Sequence, residues 1–170
     1  MNFQFYLEKL HDSSNFKNFM KKNPDAFFCS GFFIIDKKGS DNKIHLDYFI
    51  PKSRKIMSFQ LESSIQEVPI ELMGDKVPSK VFVNHDFDFD DIEKLILDEM
   101  QKQGVKNKIE KIILSLQEVD NKDYLIATVF VSMLGILKIH ILLPEKKITL
   151  FEKKSFFDIV NVLKKPKKKD

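Results

Sequence analysis

The most conspicuous candidate for metal-binding chemistry is a run of alternating carboxylates, Asp86, Asp88 and Asp90. This D-x-D-x-D spacing opens the calcium loop of an EF-hand, where carboxylate oxygens coordinate the ion. The pattern then fails twice, because the sixth position is Asp91 where a glycine is needed and the twelfth is Leu97 where a bidentate glutamate is needed. The alternative, which we favour, is that these carboxylates lie at a helix N-terminus, where the helix dipole stabilises negative charge.

A second candidate is a pair of groups for acid–base chemistry. His45 and Asp47 are two residues apart and therefore share one face of a predicted strand, and His140 lies in a strand with a similar local sequence. No recognisable motif ties a hydroxyl or thiol nucleophile to them. We therefore interpret all three as polar side chains on a half-buried sheet.

The single cysteine, Cys29, excludes an intramolecular disulfide and a zinc site built on several cysteines. Its aromatic neighbours predict a small buried side chain, whereas a reactive thiol needs an exposed, electropositive setting. The sequence also lacks a phosphate-binding loop, a G-x-G-x-x-G pattern and a G-x-S-x-G nucleophile elbow. On these grounds we expect no enzyme activity, assign no catalytic residue and predict no cofactor.

The basic character of the chain is concentrated at its C-terminus. The last seven residues contribute +4 to a net charge of +3, so the rest of the chain sums to −1. Such lysines contact phosphates of RNA, DNA or anionic lipid in some proteins and only solubilise the terminus in others. The lysines concerned are Lys164, Lys165, Lys167, Lys168 and Lys169.

The spacing of apolar residues predicts the elements that must position these groups. Residues 1–61 are predicted to form one unit. It begins with a helix from Phe3 to Lys22, interrupted near Ser13, and continues as a three-stranded meander. Residues 62–84 form a connector in which only Lys80 to Asn84 is strand-like. The predicted strands of this half are Ala26 to Asp36, Lys43 to Ile50 and Lys55 to Leu61.

Residues 85–163 repeat this order, and residues 164–170 form the basic tail. A helix from Phe87 to Gln103, capped by Asp88 or Asp90, precedes a four-stranded meander. A terminal helix, Ser155 to Leu163, follows the last strand. The predicted strands are Lys108 to Val119, Tyr124 to Met133, Ile136 to Leu143 and Lys147 to Phe151.

The fold class is therefore α+β, built from two helix-plus-antiparallel-meander units of αβββ type that together form one compact unit, with helices on one face. A sequence echo hints at internal duplication, because Lys-Ile-His before a proline-containing turn occurs at Lys43 to His45 and again at Lys138 to His140.

The two halves resemble tandem PepSY domains of the cystatin-like class, in which a helix precedes a strand meander. The residues that carry the resemblance include Phe16, Phe19 and Pro24 with the Pro51 turn in the first half, and the turn at Pro144 in the second. The glycine that such domains usually have before the last strand is missing from both turns. The resemblance implies a non-catalytic binding or regulatory module and transfers no catalytic residue.

From these observations we expect a binding or interaction module whose ligand the sequence does not assign, with a protein partner or a second copy docking on a sheet face or edge. The alternative is a nucleic-acid- or ribosome-associated accessory protein that uses the C-terminal lysines. We expect a cytoplasmic protein without a membrane span, since the opening residues contain Gln4, Glu8 and Lys9 and the longest uncharged stretch is shorter than a spanning helix.

Overall fold

The structure, a computed structural model, describes residues 2–72 and 74–155. Within these residues it confirms an α+β fold, with three helices and an antiparallel sheet of eight strands. The helices are α1 (Phe3–Asp12), α2 (Ser14–Lys22) and α3 (Phe89–Lys102). The strands are β1 (Phe27–Asp36), β2 (Lys43–Ile50), β3 (Lys55–Gln60), β4 (Gln66–Glu71), β5 (Ile109–Val119), β6 (Lys122–Val131), β7 (Gly135–Leu142) and β8 (Lys147–Ser155).

The two halves of the chain share a single sheet with the strand order β4-β3-β2-β1-β5-β6-β7-β8. Each half is a four-stranded meander, and the two meanders meet where β1 pairs antiparallel with β5, from Gly31 opposite Leu116 to Asp36 opposite Lys111. The prediction of a three-stranded meander in the first half is therefore wrong. Its fourth strand, β4, lies at one edge of the sheet.

The missed strand lies within the segment that the sequence presents as an irregular connector. β4 pairs along its whole length with β3, so cross-strand hydrogen bonds stabilise it although it contains Pro69 and is largely exposed. The predicted strand from Lys80 to Asn84 is wrong. Val81 is fully buried and its backbone N–H donates to the carbonyl of Phe28, whereas Phe82 is exposed.

The helix boundaries follow capping chemistry. The predicted interruption of the first helix is confirmed at Ser13, whose hydroxyl accepts a hydrogen bond from the Phe16 backbone N–H and starts α2. Asp88 is the N-cap of α3, as one of the two expected caps. The predicted terminal helix and the basic tail lie outside the described residues, except for Ser155, which ends β8.

All three helices contribute side chains to one face of the sheet. On α1, Phe3 stacks on Phe87 with a ring separation of 5.0 Å and meets Phe33 of β1 edge-on. On α2, Phe16 and Phe19 pack around Phe59 of β3. Aromatic packing of this kind stabilises each ring contact beyond the area that it buries. No helix in the described ranges is long and apolar enough to cross a membrane.

A buried hydrogen bond between a histidine and an aspartate fixes the connector that precedes α3. His85 Nε2 lies 2.6 Å from Asp123 Oδ2, and both side chains are almost completely buried. The same carboxylate oxygen accepts a hydrogen bond from the backbone N–H of Phe82. The pair therefore joins the connector to the start of β6, because a charged group in the interior needs a bonded partner.

Replacing Asp123 with alanine should lower the free energy of unfolding by about 3 kcal/mol, since it leaves His85 buried without its partner. The control is Glu152→Ala, which removes the exposed Lys154–Glu152 pair and should cost less than about 0.5 kcal/mol. Chemical denaturation measures both. The double variant H85L/D123L should be more stable than D123A, and equal losses for Asp123 and Glu152 would contradict the assignment.

A second prediction concerns pH. His11 at the end of α1 stacks on Phe16, with its Nε2 2.8 Å from the Tyr48 hydroxyl, and burial lowers its pKa from 6.5 despite the carboxylate of Asp12. Burial likewise lowers the pKa of His140. Near and below pH 6.5 these two histidines bind protons in the unfolded chain more readily than in the folded chain. Their contribution to the free energy of unfolding is therefore fully present above this pH and is lost as the pH falls.

We expect the melting temperature to fall as the pH decreases from 7 towards 5, and to fall less in the variant H11Q. Differential scanning calorimetry at matched ionic strength makes the comparison. An identical pH dependence in the two proteins would show that His11 does not carry this effect.

Candidate functional site

The described residues form a cleft of about 460 Å³ between α1 and α3, above β1 and β2. The two helices begin side by side because the Phe3 backbone N–H donates to the carbonyl of Phe87, and Asn2 bridges to Asp88. Further along, side chains of both helices and of the β1–β2 turn line the opening. The volume lies in the range of known small-molecule sites.

The interior of the cleft is apolar and aromatic. Phe33 and Ile44 come from the covered face of the sheet and are buried, while Tyr6 and Phe89 contribute from the two helices. Phe5 belongs to the same lining although 59% of its surface is exposed. The ring surface open to a ligand is therefore mainly that of Phe5, with the partly buried Tyr6 beside it. Burial raises the pKa of the Tyr6 hydroxyl, which stays neutral.

The rim of the cleft is charged, and most of its charges are paired. Lys37 Nζ lies 3.0 Å from Glu93 Oε2, which joins the β1–β2 turn to α3. Lys43 pairs with Asp41 at 3.1 Å.

Lys9 differs from the other lysines of the rim. Its ammonium group donates to the Leu61 carbonyl at 3.3 Å, and within the described residues no carboxylate lies within 4 Å of it. A cation beside apolar surface, with only a carbonyl as partner, suits an anionic group on a ligand.

The cleft thus combines an apolar body with a charged rim on which Lys9 is the lysine without a carboxylate partner among the described residues. It suits a small amphipathic molecule that has an aromatic or aliphatic body and a carboxylate or similar anion.

Two of the three alternating carboxylates of the EF-hand-like run accept hydrogen bonds from other groups of the protein. Asp88 accepts a hydrogen bond from the Asp90 backbone N–H as the N-cap of α3, and Asp86 Oδ1 accepts one from the side chain of Asn2. In the part of the chain that the structure describes, no group of three or more His, Cys, Asp and Glu side chains is arranged to hold a metal ion. Asp88 and Asp90 lie at the N-terminus of α3, where the alternative interpretation places them.

The candidate acid–base residues do not come together. His45 and Asp47 share one face of β2, but His45 contacts Glu62 at 2.8 Å and Asp47 accepts a hydrogen bond from Ser30. His140 lies on β7, four strands away from β2, a separation of roughly 19 Å.

Cys29 is buried, as predicted. Burial, reinforced by the charge of Asp47, raises the pKa of its thiol to about 12. A thiol that stays protonated at neutral pH is a poor nucleophile.

Both edges of the sheet carry features that oppose strand addition. β4 has Pro69 and the exposed Glu67 and Glu71, and β8 has the exposed Lys153 and Lys154. Proline and charged side chains are common protection on edge strands. A partner that docks by edge pairing is therefore less favoured than one that uses a face.

Sequence reasoning missed the cleft. One signal was available: Phe5 falls off the apolar face of α1, whose buried residues are Phe3, Leu7 and Leu10, and Lys9 follows it by one helical turn. The approach of α3 to α1 depends on contacts between residues more than 80 positions apart and has no local signature.

Comparison of the chain with protein-family models, curated proteins and solved structures finds no match. The cleft therefore has to be interpreted from its own chemistry.

Addition of millimolar calcium should leave the melting temperature unchanged. The side chains of Asp86 and Asp88 already accept hydrogen bonds, from the side chain of Asn2 and from the first turn of α3 respectively. A ligand at 100 times its dissociation constant would stabilise the fold by about 2.7 kcal/mol, which thermal denaturation detects easily. Magnesium serves as the control for general ionic effects. A rise specific to calcium would restore the EF-hand interpretation.

Proposed function

We propose that the protein is a non-enzymatic binding module whose ligand site is the cleft between α1 and α3. The ligand class is a small amphipathic anion. The observation that carries the proposal is the position of Lys9 at the rim of an apolar, aromatic cleft, without a carboxylate partner among the described residues.

The chemistry of the nucleophilic and basic side chains supports a non-catalytic role. The thiol of Cys29 is buried and strongly disfavours ionisation. The buried pair His85–Asp123 resembles part of a catalytic triad, but within the described residues no hydroxyl or thiol hydrogen-bonds to either member. The contact between the two side chains holds the segment before α3 against β6, and neither side chain lines the cleft.

The resemblance to tandem PepSY domains points in the same direction, because it implies a binding or regulatory module. Duplication is supported by a strand order that is symmetric about the β1–β5 pair. The Lys-Ile-His echo does not support it, since its two copies lie on β2 and β7, which stand at different distances from that pair. Nucleic-acid or ribosome association through the C-terminal lysines stays a prediction from the sequence.

The proposal predicts that anilinonaphthalene sulfonate, a fluorescent molecule with an aromatic body and a sulfonate, binds the folded protein in the cleft. Lys9→Gln should weaken this binding about tenfold, because it removes the cationic partner of the sulfonate. Phe5→Ala should weaken it about fivefold through lost apolar contact. Fluorescence titration gives both dissociation constants.

The matched control is Phe82→Ala, since Phe82 is 62% exposed and does not line the cleft. This variant should bind the probe with wild-type affinity. An uncharged naphthalene analogue should bind K9Q and the wild-type protein with the same affinity. This comparison separates the contribution of charge from that of packing. Equal effects of Phe5→Ala and Phe82→Ala would place the probe elsewhere.

A further inference from the structure

The turn between β6 and β7 holds two apolar residues in a backbone conformation that such residues avoid. Met133 and Leu134 have φ values of 63° and 59°, in the left-handed region that favours glycine and asparagine. In the preceding turn of the chain, between β5 and β6, Asp120 and Asn121 adopt the same left-handed backbone conformation, which these residue types tolerate. The requirements of the turn therefore do not explain the choice of Met133 and Leu134.

Both apolar side chains project into solvent from a well-anchored base. Met133 is 91% exposed and Leu134 60%. Below them the Ser132 backbone N–H donates to the Lys108 carbonyl at 2.8 Å, and the Lys108 N–H donates to the Ser132 hydroxyl at 3.1 Å. The turn therefore presents its apolar side chains from a fixed position, where they gain nothing from the core.

The segments next to this apolar tip carry lysines. Lys106 and Lys108 lie in the loop that bonds to its base, and Lys154 and Lys153 on β8 stand opposite the first residues of β7. Lys154 pairs with Glu152 at 3.6 Å. Throughout residues 2–72 and 74–155, no carboxylate forms an ion pair with Lys106, Lys108 or Lys153.

The lysines of the β1–β2 turn, at the same end of the sheet, are by contrast neutralised. Lys37 pairs with Glu93 and Lys38 with Glu110. Lys106, Lys108 and Lys153 therefore differ from the lysines of the β1–β2 turn in having no carboxylate partner among the described residues.

We propose that this end of the sheet is a docking surface for a bilayer containing anionic phospholipid. Met133 and Leu134 enter the boundary between headgroups and acyl chains, while Lys106, Lys108 and Lys153 contact the lipid phosphates. An apolar tip flanked by segments that carry lysines has the two components that peripheral membrane binding requires. This inference is independent of the cleft and its ligand.

The residue types favour a bilayer over other anionic partners. Single-stranded nucleic acid is held by stacking on aromatic rings, and the tip offers a thioether and an isobutyl group. Protein interfaces are depleted in lysine and rely on aromatic residues and arginine. Lysine clusters beside apolar side chains match the negative surface potential of an anionic leaflet.

The test measures co-sedimentation of the full chain with phosphatidylcholine vesicles, with and without about one third phosphatidylserine. The wild-type protein should bind only the vesicles that contain phosphatidylserine. The variant M133N/L134G should bind at least tenfold more weakly, because it removes the apolar insertion. The variant K106Q/K108Q/K153Q should bind roughly a hundredfold more weakly.

Folding is controlled within the same design. Asparagine and glycine suit the left-handed region, so M133N/L134G should raise the melting temperature by about 4 °C or more while vesicle binding is lost. The matched charge control is K52Q/K122Q/K146Q, which removes three exposed lysines from the opposite end of the sheet and should bind vesicles like wild type. A gain in stability with a loss of binding cannot come from misfolding.

Three results would overturn the proposal. One is that M133N/L134G binds vesicles as strongly as the wild-type protein, which would assign binding to lysines away from the turn, including those of the C-terminal tail. Another is an equal loss in the charge control. The third is a failure of the wild-type protein to bind phosphatidylserine vesicles, including the case in which it binds single-stranded RNA through the same residues.

Discussion

The antiparallel pairing of β1 with β5 is the contact on which the rest of the structure depends. It joins two meanders into one sheet and aligns Gly31, Phe33 and Ile35 with apolar residues of β5 on the covered face. Gly31 belongs at this junction because the Phe33 ring lies over it, where an added Cβ would come within 2.8 Å of ring carbon Cζ. With the central strands in place, α1 and α3 lie over the same sheet, and the cleft needs both halves because β1 and β2 form its floor while α3 forms one of its walls.

Local chemistry was sufficient to predict much of the fold. β2 has the predicted boundaries because Lys43–Ile50 alternates buried and half-buried side chains between two turns. The break at Ser13 and the cap at Asp88 follow from side-chain hydrogen bonds to nearby backbone N–H groups. The burial of Cys29 follows from its aromatic neighbours in the same strand.

Features that depend on distant partners were not predictable. β4 is exposed and contains Pro69, so its strand conformation comes from pairing with β3 and has little local signal. The apolar run near Val81 suggested a strand, yet the connector is held by the side chains of His85 and Asp123, which lie 38 positions apart in the chain. The cleft was not predictable for the same reason, because Lys9 lies at the rim of a cleft only once α3 and the β1–β2 turn have packed near it.

The central position of β1 has a consequence for synthesis on the ribosome. β1 is apolar on both faces, with Phe28 and Phe33 on one and Phe27 and Phe32 on the other. One of its two edges finds its partner only after the chain has been made as far as Leu116. Until then the nascent first half exposes an unpaired apolar edge, the kind of surface that drives aggregation and that chaperones bind. Translation speed across α3 and β5 therefore sets how long that edge stays open.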